Sequence, residues 1–562
     1  MSSTTTGNQP SKELEPLSEG KTTTTEGKKV EFEDFIKRGK YTYILCGLLQ
    51  FMILFQNGNM IYMTFAGLPP RITSCGVKNF TALEWDNKKI CDFITNPKES
   101  RNCTPTTEGD FLSVNREWNY YCGKDALAVK SSTSSQMFGI IIGSIAGGQL
   151  SDLYGRKKVM FISLLLCITF VIISSFAQDL TQLTIIRGFV QFFNGMIVTI
   201  NGVFIVENVP KNDRIWIYNV FTWSPNTVLF AIVAYFSGEW RMLARVTAIL
   251  SIPAVILTFV SAESPRWLIQ KGRIEAAKAE IKKICKINGR DIGEDVINEF
   301  VDSEHEKNSS KGKSATKRYS FYHLFYTWKF TTYSIILATT FFVASLGNYG
   351  TMFNMEKLSG SVYTNSILMG SLRYLLNLVV AFADTRFLWL GRRHILSSSC
   401  YAIGSAALLI VLIISLNMKE SLELGLRILQ ILVVAFTSQL YVTSGIVSAE
   451  LFPTQVRNLS YSTLQTCSRI GVFLAPYLFV LSAIFDSAPY VTLAIITLAV
   501  GTSYILFIPE TKGHPLKNEM PGPEERICSK TKKRPILKGP EDEAAERILT
   551  GEGNDTTTTT NK

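Results

Sequence analysis

The sequence predicts an all-α membrane protein whose twelve transmembrane helices fall into two six-helix halves. Three observations carry that prediction: the spacing of the apolar runs, a set of loop signals that occurs twice, and the side on which Lys and Arg collect. The chain has 562 residues, 46% of them hydrophobic and only 18% charged. Long apolar runs alternate with charged turns, the composition of a polytopic membrane protein. Spans are read at 42–64, 132–151, 159–177, 181–206, 215–237 and 241–261, and again at 330–352, 362–383, 394–416, 424–446, 460–483 and 489–508. Each approaches the ~20 apolar residues that cross a bilayer.

The loop signals repeat in matching places. Glu207-x-x-Pro210-x-x-x-Arg214 follows the fourth span, and Glu450-x-x-Pro453-x-x-x-Arg457 follows the tenth. Upstream lie the basic turns Gly155-Arg156-Lys157 and Gly391-Arg392-Arg393; downstream lie Glu263-Ser-Pro-Arg266 and Pro509-Glu510-Thr-Lys512. Halves with matching punctuation are the sequence mark of a carrier that rocks about a central site. The positive charges place the two sides. Expected inner turns hold Arg156, Lys157, Lys158, Lys211, Arg214, Arg386, Arg392, Arg393 and Arg457, and short outer turns hold little beyond Arg241, Lys357 and Lys419. That bias predicts cytosolic termini.

Read in order, residues 1–40 form a polar, disordered tail without a cleavable signal peptide. The first half covers 41–261 and includes an outer loop at 65–131; a cytoplasmic helical loop covers 262–329, the second half 330–513, and a disordered tail 514–562. The outer loop holds Cys75, Cys91, Cys103 and Cys122 and the sequons Asn79-Phe-Thr81 and Asn102-Cys-Thr104. Disulfides and glycans both require the lumenal or extracellular side, so the loop lies outside; the membrane expected is the plasma membrane. Four cysteines leave three pairings open. In the central loop, Ile274, Ala277, Ile281 and Ile284 have helical spacing and predict a helix lying on the cytoplasmic face. Residues 303–318 are Ser/Lys-rich and read as flexible.

Several classes are excluded. The net charge of +11 collects beside apolar spans, so topology rather than nucleic acid explains it. His305, His323, His394 and His514 are too scattered for a metal set, no cofactor motif appears, and no nucleophile–base pair indicates an enzyme. The loop charges have a use of their own. Asp152, Glu207 and Glu450 sit at the C-terminal ends of spans, where a carboxylate opposes the helix dipole and needs compensation. Arg156, Arg214 and Arg457 lie close by, and together with Glu263, Arg266 and Glu510 they suggest a charge network that links the halves and holds the inner side shut. The competing reading is that they only cap helices and fix topology.

At these residues the chain resembles a known group. Gly148-Gln-Leu-Ser-Asp152-Leu-Tyr-Gly155-Arg156-Lys157-Lys158 is similar to the loop motif of the major facilitator superfamily. Glu263-Ser-Pro-Arg-Trp-Leu268 and Pro509-Glu-Thr-Lys-Gly513 resemble its sugar porters and organic ion transporters. The Cys-bearing outer loop and Glu450-Leu-Phe-Pro-Thr-Gln-Val-Arg-Asn458 resemble the organic cation/anion/zwitterion transporter family, over roughly residues 40–515. The glutamine pair of sugar porters is not seen in Phe341-Phe-Val-Ala-Ser-Leu-Gly-Asn-Tyr349. One departure stands out: the second-half turn lacks the expected Asp, and Asp384 lies seven residues before Gly391.

The resemblance implies a carrier but not its cargo. Among ionisable residues, Arg373 in span eight and Arg469 in span eleven stand at mid-depth, with no Asp or Glu at comparable depth. An ionisable group there is costly and normally faces the bundle interior. Two unopposed guanidinium groups favour an anion, because Arg can grip a carboxylate or sulfonate with two hydrogen bonds. The resemblance agrees: the position matching Arg469 looks acidic in cation carriers and basic in anion and zwitterion carriers. Trp223, Tyr349, Tyr374 and Tyr441 supply flat surfaces for an amphipathic ion, and Asn57 and Asn59 of the Gln56-Asn57-Gly58-Asn59 stretch supply amides. Arg187, Arg245 and Arg427 lie nearer span ends and are expected to snorkel.

The sequence therefore predicts a secondary-active or facilitative carrier of small organic anions working by alternating access, with a counter-transported ion as a further partner. The alternatives are a zwitterion or cation carrier, or a membrane glycoprotein that binds partners without moving solute.

Overall fold

In the computed structural model the described residues are 35–527, apart from 37, 77, 84, 86, 97–102, 211–216, 218–219, 291, 314–320, 356–357, 359, 388–390, 513–519 and 522–524. The first half contributes helices Lys40–Ala66, Gly123–Tyr154, Arg156–Ser174, Leu180–Asn208 and Trp223–Ser237, then a broken pair, Trp240–Leu250 and Ile252–Val260. The second contributes Trp328–Phe353, Val362–Arg386, Arg392–Ser415, Glu423–Leu451, Thr454–Leu474 and Ala488–Phe507. These are spans one to twelve below. Ten of them are long and apolar enough to cross a membrane among the described residues.

The two that fall short do so for physical reasons. Span two carries many Gly and Ser residues because span four packs against it backbone to backbone. A Cβ added at Gly147 would lie 2.6 Å from Met196 Cα, and one at Gly195 would lie 2.6 Å from the Ile140 carbonyl oxygen. Small residues at a helix interface allow that approach in a membrane. Span five is 15 residues long in its described part, with Pro225 in its first turn. The break in span six falls at Ser251, just before Pro253, which lacks the N–H a continuous helix needs. Span eleven likewise changes from α to 3₁₀ at Ala475–Ala483, where Pro476 enters.

Each half has its own hydrophobic core, but the first half's core also contains Tyr349, Met352, Phe353 and Met355 from the end of span seven. The halves therefore interlock at the end of the bundle that carries the disulfide loop, called here the disulfide side. That loop is ordered. Strands β1 (Arg71–Cys75), β2 (Lys78–Asn79) and β3 (Pro105–Glu108) form an antiparallel sheet in the order β2-β1-β3. Of the three possible pairings the structure has Cys75–Cys103 and Cys91–Cys122, with Cα atoms 5.6 and 5.3 Å apart. Glu117 fixes the loop to the first turn of span six, accepting from Arg241 Nη2 and Trp240 Nε1, each at 2.6 Å.

On the opposite side, helices Pro265–Gln270, Ile274–Ile287 and Glu294–Lys313 pack a small core around Trp267, Ile281, Cys285 and Phe300. The amphipathic helix expected from Ile274 is present and buries Ala277, Ile281 and Ile284. One expectation of flexibility needs correction. Residues 303–313 continue a helix rather than a flexible linker, since it begins upstream at Glu294. Part of the second tail also docks: Ile527 N donates to the Tyr326 carbonyl at 3.1 Å, and Arg526 Nε to the Tyr322 hydroxyl at 2.9 Å.

Candidate functional site

Four spans of the second half bring the expected arginines to one region. Span seven approaches span eleven so closely that a Cβ on Gly471 would lie 2.8 Å from Ser345 Cβ. Ser345 bonds Ser468 at 2.7 Å and accepts from the Tyr441 hydroxyl at 2.7 Å, tying spans seven, ten and eleven together. Arg469 follows directly. Its guanidinium is half-buried and forms no hydrogen bond or ion pair among the described residues, while it lies within electrostatic reach of Tyr349 and Tyr461. From span eight, Arg373 is 9% exposed and donates to Asn348 Oδ1 at 3.0 Å. Its Nε has no partner among the described residues, and it too lies within reach of Tyr349 and Tyr441. Among the described residues, neither arginine meets a carboxylate. Tyr349 lies within electrostatic reach of both and also reaches the other half, its hydroxyl 3.7 Å from Met60 Sδ.

The first-half candidates divide. Trp223 is half-buried at the start of its helix, and Asn57 donates to Thr227 Oγ1 at 3.0 Å and to the Trp223 carbonyl at 3.4 Å. Asn59 instead lies in an internal network. Its side chain donates to the Phe55 carbonyl at 3.0 Å and accepts from Arg187 Nη1 at 3.2 Å. Tyr374 is half-buried with no hydrogen bond among the described residues.

Arg187 is the residue that sequence position misjudged. It does not snorkel: it is fully buried, donates to Asn59, and stacks 4.0 Å from the Tyr62 ring centre. The signal that could have found it is the Arg187–Gln191–Asn194 spacing, one helix face of polar residues opposite the Gln56–Asn59 stretch. Arg245 is exposed and donates from Nε to Ser175 Oγ at 3.3 Å, while Arg427 donates to Asn365 Oδ1 at 2.7 Å.

The opposite side holds two matching loop assemblies. Arg156 pairs with Asp152, and its Nη2 lies 3.4 Å from Glu207 Oε1. Glu263 caps the N-terminus of span three, accepting from Lys157 N at 2.9 Å and Ser264 N at 3.0 Å. In the second half Arg392 Nη2 lies 3.3 Å from Glu450 Oε1, and Glu510 caps span nine, accepting from Arg392 N at 2.9 Å, Arg393 N at 3.2 Å, and Thr511 N and Lys512 N at 3.0 Å. Anions suit both sites because helix N-termini present unpaired N–H groups and a positive dipole end. The two carboxyls are tuned oppositely. Burial raises Glu263 above its ordinary value despite the backbone donors; burial also acts on Glu510, but four backbone N–H groups outweigh it and hold that carboxyl below its ordinary value.

Arg457, expected beside Glu450, is not its partner in the structure. The basic-turn residue Arg392 takes that place, while Nε and Nη2 of Arg457 are buried without partners among the described residues. Asp384, offset from the basic turn in sequence, joins Lys512 at 3.1 Å. Arg266 is half-buried in the first turn of the helix Pro265–Gln270; Arg214 lies outside the described residues. Among the described residues, the loop ion pairs Arg156–Asp152, Arg156–Glu207, Arg392–Glu450 and Lys512–Asp384 each stay within their own half. Direct contacts between the halves cluster instead toward the disulfide side: Tyr349 with Met60, Tyr363 with Phe65 and Tyr235, and Phe473 with Phe138.

The sequence pattern of the family described as sugar (and other) transporter matches residues 81–520. The chain belongs to that family. An organic cation transporter-like protein of Drosophila melanogaster is 30% identical over 429 residues, covering 74% of this chain and 73% of that protein. The organic cation/carnitine transporter 2 of Rattus norvegicus is 29% identical over 452 residues, covering 78% of this chain and 77% of that protein. Among solved structures, the inward-open xylose transporter XylE of E. coli superposes with a TM-score of 0.59 at 14% identity, covering 84% of this chain and 97% of that one. That likeness establishes the fold, a major facilitator bundle. The protein is a multi-pass membrane transporter.

Proposed function

We propose that this transporter carries small amphipathic organic ions across the plasma membrane by alternating access, gripping an anionic group of the substrate at Arg469 and Arg373. The observation that carries the proposal is Arg469: a partly accessible mid-span guanidinium with no carboxylate partner among the described residues. A fixed cation at mid-depth costs about 2.5–3.5 kcal/mol on insertion scales, and a bound carboxylate would offset that cost with charge-assisted hydrogen bonds. No Asp or Glu lies at that depth in any described span to do so instead. Trp223, Tyr349 and Tyr441 provide flat faces for the apolar body.

A zwitterionic substrate is the second reading, favoured by the relatives named organic cation/carnitine transporter 2. It shares the same grip, since the carboxylate end would sit at the arginines while the aromatic faces accept the cationic end through cation–π attraction. The side bearing the disulfides and the exposed Asn79 faces outward in this proposal, with Asn79 and Asn102 as glycan acceptors and both termini in the cytosol. Asp152, Arg156, Glu207, Glu263, Glu450 and Glu510 then form loop assemblies that gate the inner side.

An uptake panel in reconstituted vesicles tests this, comparing a labelled aryl carboxylate, a carboxylate-bearing quaternary amine and a tetraalkylammonium ion. Uptake of either carboxylate-bearing probe, lost on Arg469→Gln, is the expected result. Transport of the tetraalkylammonium ion alone would overturn it.

A further inference from the structure

Span two presents a stripe of one helix face, Lys130, Ser134 and Phe138, to the second half. Each member meets the end of a helix there. Lys130 Nζ donates to the carbonyl of Phe353, the last residue of span seven, at 2.7 Å. Ser134 Oγ donates to the carbonyl of Phe473 in span eleven, and the Phe138 ring packs on the Phe473 ring with centres 6.0 Å apart.

Each carbonyl sits where its own helix is short of donors, for a reason written in the chain. Phe353 lies in the final turn of its helix, where carbonyls lack intrahelical donors and the dipole favours a cation. Phe473 lies where span eleven tightens to 3₁₀, so its i+3 partner would be Pro476, which has no N–H. Buried carbonyls without donors are costly, and the other half supplies both donors. The glycan and disulfide readings do not use these contacts, nor does the cargo site.

We propose that Lys130 and Ser134 are the latch of the disulfide side, holding the carrier in the state shown here and released each time that side opens. The inference rests on alternating access but not on what is carried. The second-half carbonyls become acceptors only when span two lies against spans seven and eleven. Opening that seam breaks both bonds at once and exposes Lys130 at the mouth of the path.

Hydrogen–deuterium exchange of the full-length protein in nanodiscs, without substrate, tests the latch. Lys130→Met should raise exchange in residues 349–355 and 60–66 by about tenfold and Ser134→Ala by about fivefold, from the usual worth of a charged and a neutral hydrogen bond. Exchange around Glu263 and Arg392 should fall in the same variants, because the opposite side closes as this one opens. Lys130→Arg, which keeps a donor, should stay near wild type. If Lys130→Met does not fold, Ser134→Ala carries the test. Unchanged exchange on both sides would overturn the proposal, and so would a rise on both sides, the mark of general loosening. Because no substrate is present, failure here is distinct from failure of the anion reading.

Discussion

Glu510→Gln removes one carboxylate oxygen from the N-terminus of span nine. The native carboxylate accepts four backbone N–H bonds, from Arg392, Arg393, Thr511 and Lys512, at 2.9–3.2 Å. A glutamine turns its NH₂ toward one side of that donor set, leaving at least the Arg393 N–H without an acceptor and removing the charge at the dipole's positive end. The lost acceptor costs about 1–3 kcal/mol and the charge about 0.3–1 kcal/mol, so the substitution should destabilise by about 1–4 kcal/mol. Glu263→Gln in the first half should cost less, because burial already raises that carboxyl and a neutral side chain is nearer its preferred state there. Purified protein in detergent, unfolded thermally at pH 7, gives the comparison. The pH sign follows from the depressed Glu510 value: its contribution is full above the ordinary 4.5 and is lost as pH falls through and below it. The wild-type advantage over Glu510→Gln should therefore shrink on acidification. An equal or larger cost for Glu263→Gln at pH 7, or an advantage that grows in acid, would refute the reasoning.

Gly195→Val should block folding, since even its Cβ would lie 2.6 Å from the Ile140 carbonyl; overpacking costs about 1–3 kcal/mol or more, and surface expression and gel filtration read the loss. Arg392→Gln should weaken the second-half loop assembly more than Arg457→Gln, because Arg392 is the partner of Glu450, and proteolysis of the 509–512 segment will show which variant opens it. Peptide mapping without reduction should recover Cys75–Cys103 and Cys91–Cys122, and Cys91→Ser should lower stability by about 2–4 kcal/mol.

The spans, the duplicated loops and the mid-depth arginines were legible because each depends on local composition or on spacing along one helix. Span two was legible only through its neighbours: its Gly and Ser residues lower its hydropathy, and their reason, close packing on span four, lies 50 residues away in the chain. Partners across long separations were read less well. Glu450 and Arg457 are close in sequence, yet Arg392 reaches Glu450 because the basic turn of span nine lies beside the end of span ten. Arg187 looked peripheral by its place in the helix, and tertiary packing against span one buries it. The carbonyl acceptors of the latch could not be seen at all, since a backbone oxygen becomes available only where the three-dimensional helix ends.

The decisive measurement is uptake of a labelled aryl carboxylate by vesicles holding equal amounts of wild-type and Arg469→Gln protein. The account predicts at least a tenfold fall in transport efficiency, the equivalent of about 1.4 kcal/mol, with the amount of folded protein unchanged. Carboxylate uptake that survives the substitution intact would contradict it.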